Sequence, residues 1–184
     1  MSQQNLDDKA LVELFMDVNT RESAFTSIVK KYQERIYWQI RRMVVGHDDA
    51  NDVMQNMFIK AWNGLQNFRS DAQLSTWLYR IAVNESLTYI EQTKRRSSVS
   101  MDDESINLEE KLHSEKDFDA NKAIWKLQLA MQQLPEKQRI VFNLRYFDEL
   151  PYEEMSGILD TSVGALKASY HHAVKKIEDY ILNH

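Results

Sequence analysis

The chain has 184 residues, 43% of them hydrophobic and 28% charged, a composition that folds as one domain of typical size or two small ones. Its net charge of −5 argues against indiscriminate nucleic-acid binding, and the absence of cysteine excludes disulfides, thiol nucleophiles and thiolate metal sites. Four glycines and two prolines leave little material for hairpin turns, a P-loop or a dinucleotide fingerprint, so an all-α protein is expected.

No stretch approaches the roughly 18 apolar residues of a membrane span, and Met1–Asn5 lacks the basic-then-apolar pattern of a signal peptide. A cytoplasmic protein without direct membrane insertion is therefore expected. The charge is unevenly spread: −3 over residues 1–20, +4 over 21–96, −6 over 97–119 and 0 over 120–184. The acidic, serine-rich segment 97–119 lacks a sustained apolar stripe and reads as a flexible linker. It would join a helical domain at 21–96, preceded by a leader at 1–20, to a second at 120–184.

In the first domain, Phe25, Ile28, Val29, Tyr32, Ile36, Ile40 and Met43 recur at the steps of one helix face, with Gly46 placed as a C-cap. A second helix is predicted from about Asp48 to Leu65, with acids in its first turn and Val53, Met57, Ala61, Trp62 and Leu65 inward. A third, from about Leu74 to Arg96, buries Leu74, Trp77, Leu78 and Ile81 and ends on Lys94, Arg95 and Arg96. Together they predict a three-helix bundle.

The second domain reads as four shorter helices. Ile124, Leu127, Met131 and Leu134 mark the first, and Pro135 suits the opening turn of the next, to Tyr146. Pro151 opens a third over Tyr152 to Leu159, and the Asp160–Ser162 turn can cap a fourth from Val163 to about Leu182. A short helix, a tight turn and a longer helix match helix-turn-helix architecture.

If Val163, Leu166, Tyr170, Val174, Ile177 and Ile181 pack inward, the opposite face carries Ser162, Ala165, Lys167, Ala168, Ser169, His171, His172, Lys175 and Lys176. Small residues there admit a groove and lysines meet phosphates, although a solvated helix would carry the same pattern. Adjacent His171 and His172 diverge by about 100° on a helix and have no third ligand at suitable spacing, so no metal is expected. In the first domain Arg69, Arg80, Lys94, Arg95 and Arg96 are interleaved with Phe68, Trp77, Tyr79 and Tyr89. Cations for phosphates and rings for unstacked bases are what single-stranded nucleic acid needs, although Trp77 reads more readily as core. No acid/base or nucleophile constellation points to an enzyme, and no cofactor is expected. Residue chemistry alone leaves open a stand-alone helix-turn-helix regulator or a helical adaptor protein.

Six motifs in order carry a resemblance to the sigma-70 family. DANDVMQNMFIKAW at 49–62, NFRS at 67–70 and LSTWLYRIAVN at 74–84 resemble its region 2; LPEKQRIVF at 134–142, YEEMSGIL at 152–159 and SVGALKASYHHA at 162–173 resemble its region 4. Two such domains with nothing further between them resemble the extracytoplasmic-function (ECF) group. The resemblance implies an alternative sigma factor that binds core RNA polymerase through the β′ clamp helices and the β flap, recognises promoter DNA and helps to open it. It implies polymerase contacts at Asp49, Asp52, Gln55 and Asn56, and minus-10 contacts at Asn67, Arg69, Ser70, Arg80, Asn84, Lys94, Arg95 and Arg96. The minus-35 element would be met by Ser162, Ala165, Lys167, Ala168, Ser169, His171, His172 and Lys175. It also implies a controlling anti-sigma factor. Where many members read TVKSRLHR in the recognition helix, this chain reads ALKASYHH at 165–172, which removes two arginines that could bind guanine. Asp160 stands where a turn glycine is frequent, and aspartate tolerates the left-handed conformation.

Overall fold

The computed structural model describes residues 7–68, 73–97 and 122–183, and within them the chain forms eight helices and no strand. In order these are α1 (Asp8–Met16), α2 (Arg21–Val44), α3 (His47–Leu65), α4 (Leu74–Ser97), α5 (Lys122–Gln132), α6 (Glu136–Tyr146), α7 (Tyr152–Leu159) and α8 (Val163–Asn183). The segment predicted as a linker lies almost wholly outside the described residues, as do Arg69 and Ser70. No described helix is long and apolar enough to cross a membrane.

The three helices predicted for the first domain are present, and a fourth joins them. Helix α1 lies within the stretch assigned to a leader; Asp7 caps it by accepting from the Ala10 amide at 2.7 Å, and Leu11, Val12 and Phe15 are buried. Phe15 meets Trp62 edge to face at 5.2 Å and Phe25 at 6.0 Å, which ties α1 to α3 and α2. The predicted bundle is thus a four-helix one. An aspartate cap followed by three apolar residues on one face is the signal that the domain begins earlier.

The corner between α2 and α3 departs from expectation. Gly46 does not take a left-handed conformation; Val45 does the turning, at φ 70°, and Gly46 caps α3 at φ −72°. A Cβ on Gly46 would stand 2.3 Å from an Asp49 carboxylate oxygen, so the glycine serves close approach rather than backbone freedom. A β-branched residue at positive φ is strained and persists where its surroundings hold it. Val45 is buried, with Trp125 and Leu129 of α5 packed against it.

In the second domain the turns behave as predicted. Pro135 and Pro151 precede α6 and α7, Asp160 is left-handed at φ 49°, ψ 45°, and the Ser162 hydroxyl accepts from the Ala165 amide at the start of α8. Met131 and Leu134 are buried as expected, with Ala173 and Ile177 of α8 in the same cluster, but Ile124 is exposed. Gln128 is buried instead. On α8, Ile181 also faces solvent, because the helix runs past the end of the core.

The two helical units pack on each other. Helices α6 and α7 lie against α2 and α4, and one apolar cluster runs from Leu11 through Ile36, Met57 and Leu78 into Ile140, Leu144, Met155 and Leu166.

Candidate promoter and polymerase interfaces

Helix α3 turns one edge outward. Asp52, Gln55 and Asn56 are exposed, but Asp49 is half-buried and meets the Tyr89 hydroxyl on α4. Burial and that neighbouring carboxylate push the Tyr89 phenol up to about 12. Asp49 was expected to face outward with the others; its position one turn from Gly46 aims it across the bundle instead. The outward stripe continues through Ile59, 54% exposed and large. Its three-residue step from Asn56 was visible in the sequence.

Helix α4 ends in a basic turn. Lys94, Arg95 and Arg96 are exposed, where cations suit the C-terminal end of a helix dipole; Arg95 also pairs with Glu91 one turn back. Asn67 and Asn84 are exposed. Of the aromatic side chains interleaved with these cations, Phe68 and Trp77 pack at 5.3 Å and remain half-buried, as does Tyr89. Tyr79 is different: it is buried in the core and is not available for stacking on a base. The second helical unit meets it through Asp148, which no periodicity within α4 could reveal.

The recognition face of α8 stands clear of both units. Ser162, Ala165, Lys167, Ala168, His171, His172, Lys175 and Lys176 are exposed and Ser169 is half-buried. Lys167 lies over the Tyr152 ring at 5.7 Å, so its stem is steered by the helix before the turn. Among the described residues no cluster of three or more His, Asp or Glu side chains could hold a metal ion.

Beside the shared apolar cluster, a set of polar contacts joins the units. Asn143, fully buried on α6, donates to the Gln39 carbonyl at 2.9 Å and accepts from Arg42 Nη1 at 3.3 Å. Gln132 Nε2 donates to the Arg42 carbonyl at 3.2 Å, Arg35 to the Asp148 carbonyl at 3.4 Å, and Arg80 to the Gly157 carbonyl. Ion pairs join Lys94 to Glu136 at 2.6 Å and Arg42 to Asp148 at 3.8 Å. Arg42 also lies over the Phe147 ring at 4.1 Å. Burial pushes the Asp148 carboxyl up to about 6, more than Arg42, Arg35 and the Tyr79 hydroxyl together bring it down. Burial likewise lowers Arg42, an effect that Asp148 partly offsets.

Comparison with known proteins places this architecture. The Sigma-70 region 2 family matches residues 28–96 and the Sigma-70, region 4 family residues 124–177. The chain is 34% identical to the RNA polymerase sigma-H factor of Pseudomonas aeruginosa over 181 residues, covering 93% of this chain and 92% of that one. It is 32% identical to the ECF RNA polymerase sigma-E factor of Escherichia coli K12 over 189 residues, covering 98% and 97%. Its fold is similar to that of a sigma factor solved in complex with the anti-sigma factor NepR from Bartonella quintana, with a TM-score of 0.68 at 17% identity over 85% of this chain and 96% of that one. The chain belongs to the sigma-70 family, as a two-domain alternative sigma factor of the extracytoplasmic-function group for transcription initiation.

Proposed function

We propose that the chain divides its work between three surfaces. The exposed stripe Asp52, Gln55, Asn56 and Ile59 on α3 docks on core RNA polymerase at the β′ clamp helices, with Asp49 bracing it from behind through Tyr89. The α4 surface of Arg80, Asn84, Lys94, Arg95 and Arg96, with Asn67, Arg69 and Ser70 earlier in the sequence, holds the melted minus-10 strand. An extruded base costs a few kcal/mol of unstacking, which a strand-binding surface offsets without ATP. The α8 face reads the minus-35 element, while the β flap carries its domain.

The observation that carries this reading is the outward face of α8: among its described residues from Ser162 to Lys176 every exposed side chain is small, neutral or basic. With no arginine on that face, guanine recognition by a bidentate fork is not available, and Lys167 and the histidines must supply the polar contacts. The second unit carries no net charge over 120–184, so its hold on duplex DNA depends on polymerase tethering both units together. The chain acts in the cytoplasm as a binding factor, and the chemistry belongs to polymerase. An anti-sigma factor is the controlling partner; the Bartonella quintana sigma factor of similar fold was solved in complex with one.

The test is transcription from a pool of genomic promoter fragments by cognate core polymerase with and without the chain. New transcripts sharing an upstream motif are expected. Core binding without any transcript would instead favour an adaptor, and neither result a stand-alone regulator. Asp52→Ala should weaken competition with another sigma factor for core; unchanged competition would remove Asp52 from that interface.

A further inference from the structure

We propose that His171 and His172 hold backbone phosphates of the minus-35 duplex as protonated cations, so that this half of promoter recognition takes up protons as it forms. The inference rests on the assignment of the α8 face to that element, and it divides the face in two. Ala165, Lys167 and Ala168 lie in the first turns of α8, the end at which a recognition helix meets base edges. His171 and His172 stand one turn beyond Lys167 and Ala168, about 6 Å further along the axis. From there to Lys176 every exposed side chain is a histidine or a lysine, the composition that positions a helix on phosphates rather than reading bases.

The surroundings of the two rings are basic or neutral along α8. His171 has Lys167 and Lys175 one turn to either side, His172 has Lys175 and Lys176 one turn ahead, and the first acid after them is Glu178. Helix α5 meets α8 through Leu127, Ala130 and Met131, none of them titratable. From α6, Arg145 and Tyr146 act on Tyr170, as does Tyr152 of α7, whose first turn also carries Glu153 and Glu154. The histidine rings face each other at 6.0 Å between centroids, and among the described residues neither is paired with an acid. A neutral imidazole offers a phosphate one N–H and no charge, whereas the protonated ring offers two N–H groups and a full charge. A polyanion therefore favours the protonated ring. Lysines are charged at every physiological pH, so on this face histidine is the side chain that can add charge near neutrality. Because residues 120–184 carry no net charge, two further cations are a large part of what this unit can offer to duplex DNA.

The face is exposed in the free chain, so polymerase is not needed for the test. The imidazole signals of the full-length protein are followed by proton NMR at low salt from about pH 5.5 to about pH 8.5, with and without a mixed-sequence DNA duplex of about 30 base pairs. Such a duplex presents phosphates whatever the promoter motif, and the concentrations of NMR register weak binding. The midpoints of His171 and His172 are expected to rise by about one unit with duplex, equivalent to about tenfold per ring in affinity, while His47 at the start of α3 stays where it is. The dependence of affinity on salt should steepen on acidification by about 0.9 per ring, measured as log K against log salt. His171→Gln with His172→Gln should remove that change, and His171→Arg with His172→Arg should keep the steep dependence at both ends of the pH range. Signals of α8 that move with duplex while both histidine midpoints stay fixed would overturn the proposal and leave α8 as a DNA-binding face. A rise shared equally by His47 would also overturn it. If no α8 signal responds to duplex at any pH, the minus-35 assignment falls and the proposal with it.

Discussion

Acidification should favour the docked, closed arrangement of the two helical units over an open one with the units apart, and Asp148 should be the reason. In the docked arrangement its carboxyl titrates near 6, where Arg35 and Arg42 on α2 and Tyr79 on α4 face it; with the domains apart it regains its ordinary value of 3.8. A group whose pKa is raised in the closed form adds its full stabilisation below the lower value and loses it as pH rises through the higher. Going from about pH 7.5 to about pH 5 protonates most of the closed form and little of the open one. The difference favours closure by about 1.3 kcal/mol, roughly tenfold in the closed-to-open ratio. The measurement is energy transfer between dyes on cysteines introduced at the exposed positions Ser27 on α2 and Glu178 on α8, in a chain otherwise free of thiols. Transfer should rise on acidification and follow a single titration near 6. Asp148→Asn carries no titrating proton and should flatten that response, which separates Asp148 from the exposed histidines His47, His171 and His172. Equal transfer at both pH values, or an unchanged response in the Asn variant, would refute the assignment.

Two further outcomes are expected. Phe15→Ala removes a fully buried ring that holds α1 on Trp62 and Phe25, at a cost of about 3–5 kcal/mol, so thermal unfolding should fall by roughly 10 °C; a loss of only a degree or two would mean that α1 is not part of the first domain's core. Replacing Lys94, Arg95 and Arg96 together with alanine should lower promoter opening more than polymerase binding, measured side by side with the same core preparation. Equal losses would contradict a strand-binding role for the end of α4.

What the sequence determined by itself is what short-range physics governs. Apolar steps of three and four residues placed α2, α3 and α4, and the local chemistry of Pro135, Pro151, Asp160 and Ser162 set the turns of the second unit within a residue or so. The exposed face of α8 was legible because one buried seam on a long helix leaves the opposite side to solvent. Motif order carried the family, since several weak patterns at the right spacing reinforce one another. Tertiary structure alone decided the rest. Tyr79 reads as a ring available to bases and is buried; Asp49 reads as outward and meets Tyr89; Gly46 reads as the left-handed residue and Val45 takes that role under Trp125. Each depends on a partner far away along the chain. The docking of α6 and α7 on α2 and α4 is of the same kind, joining Arg42 to Asn143 and Asp148 across about a hundred residues. Periodicity reports which face of a helix is apolar, but not which distant surface will cover it, nor that a buried asparagine and aspartate will find their partners there.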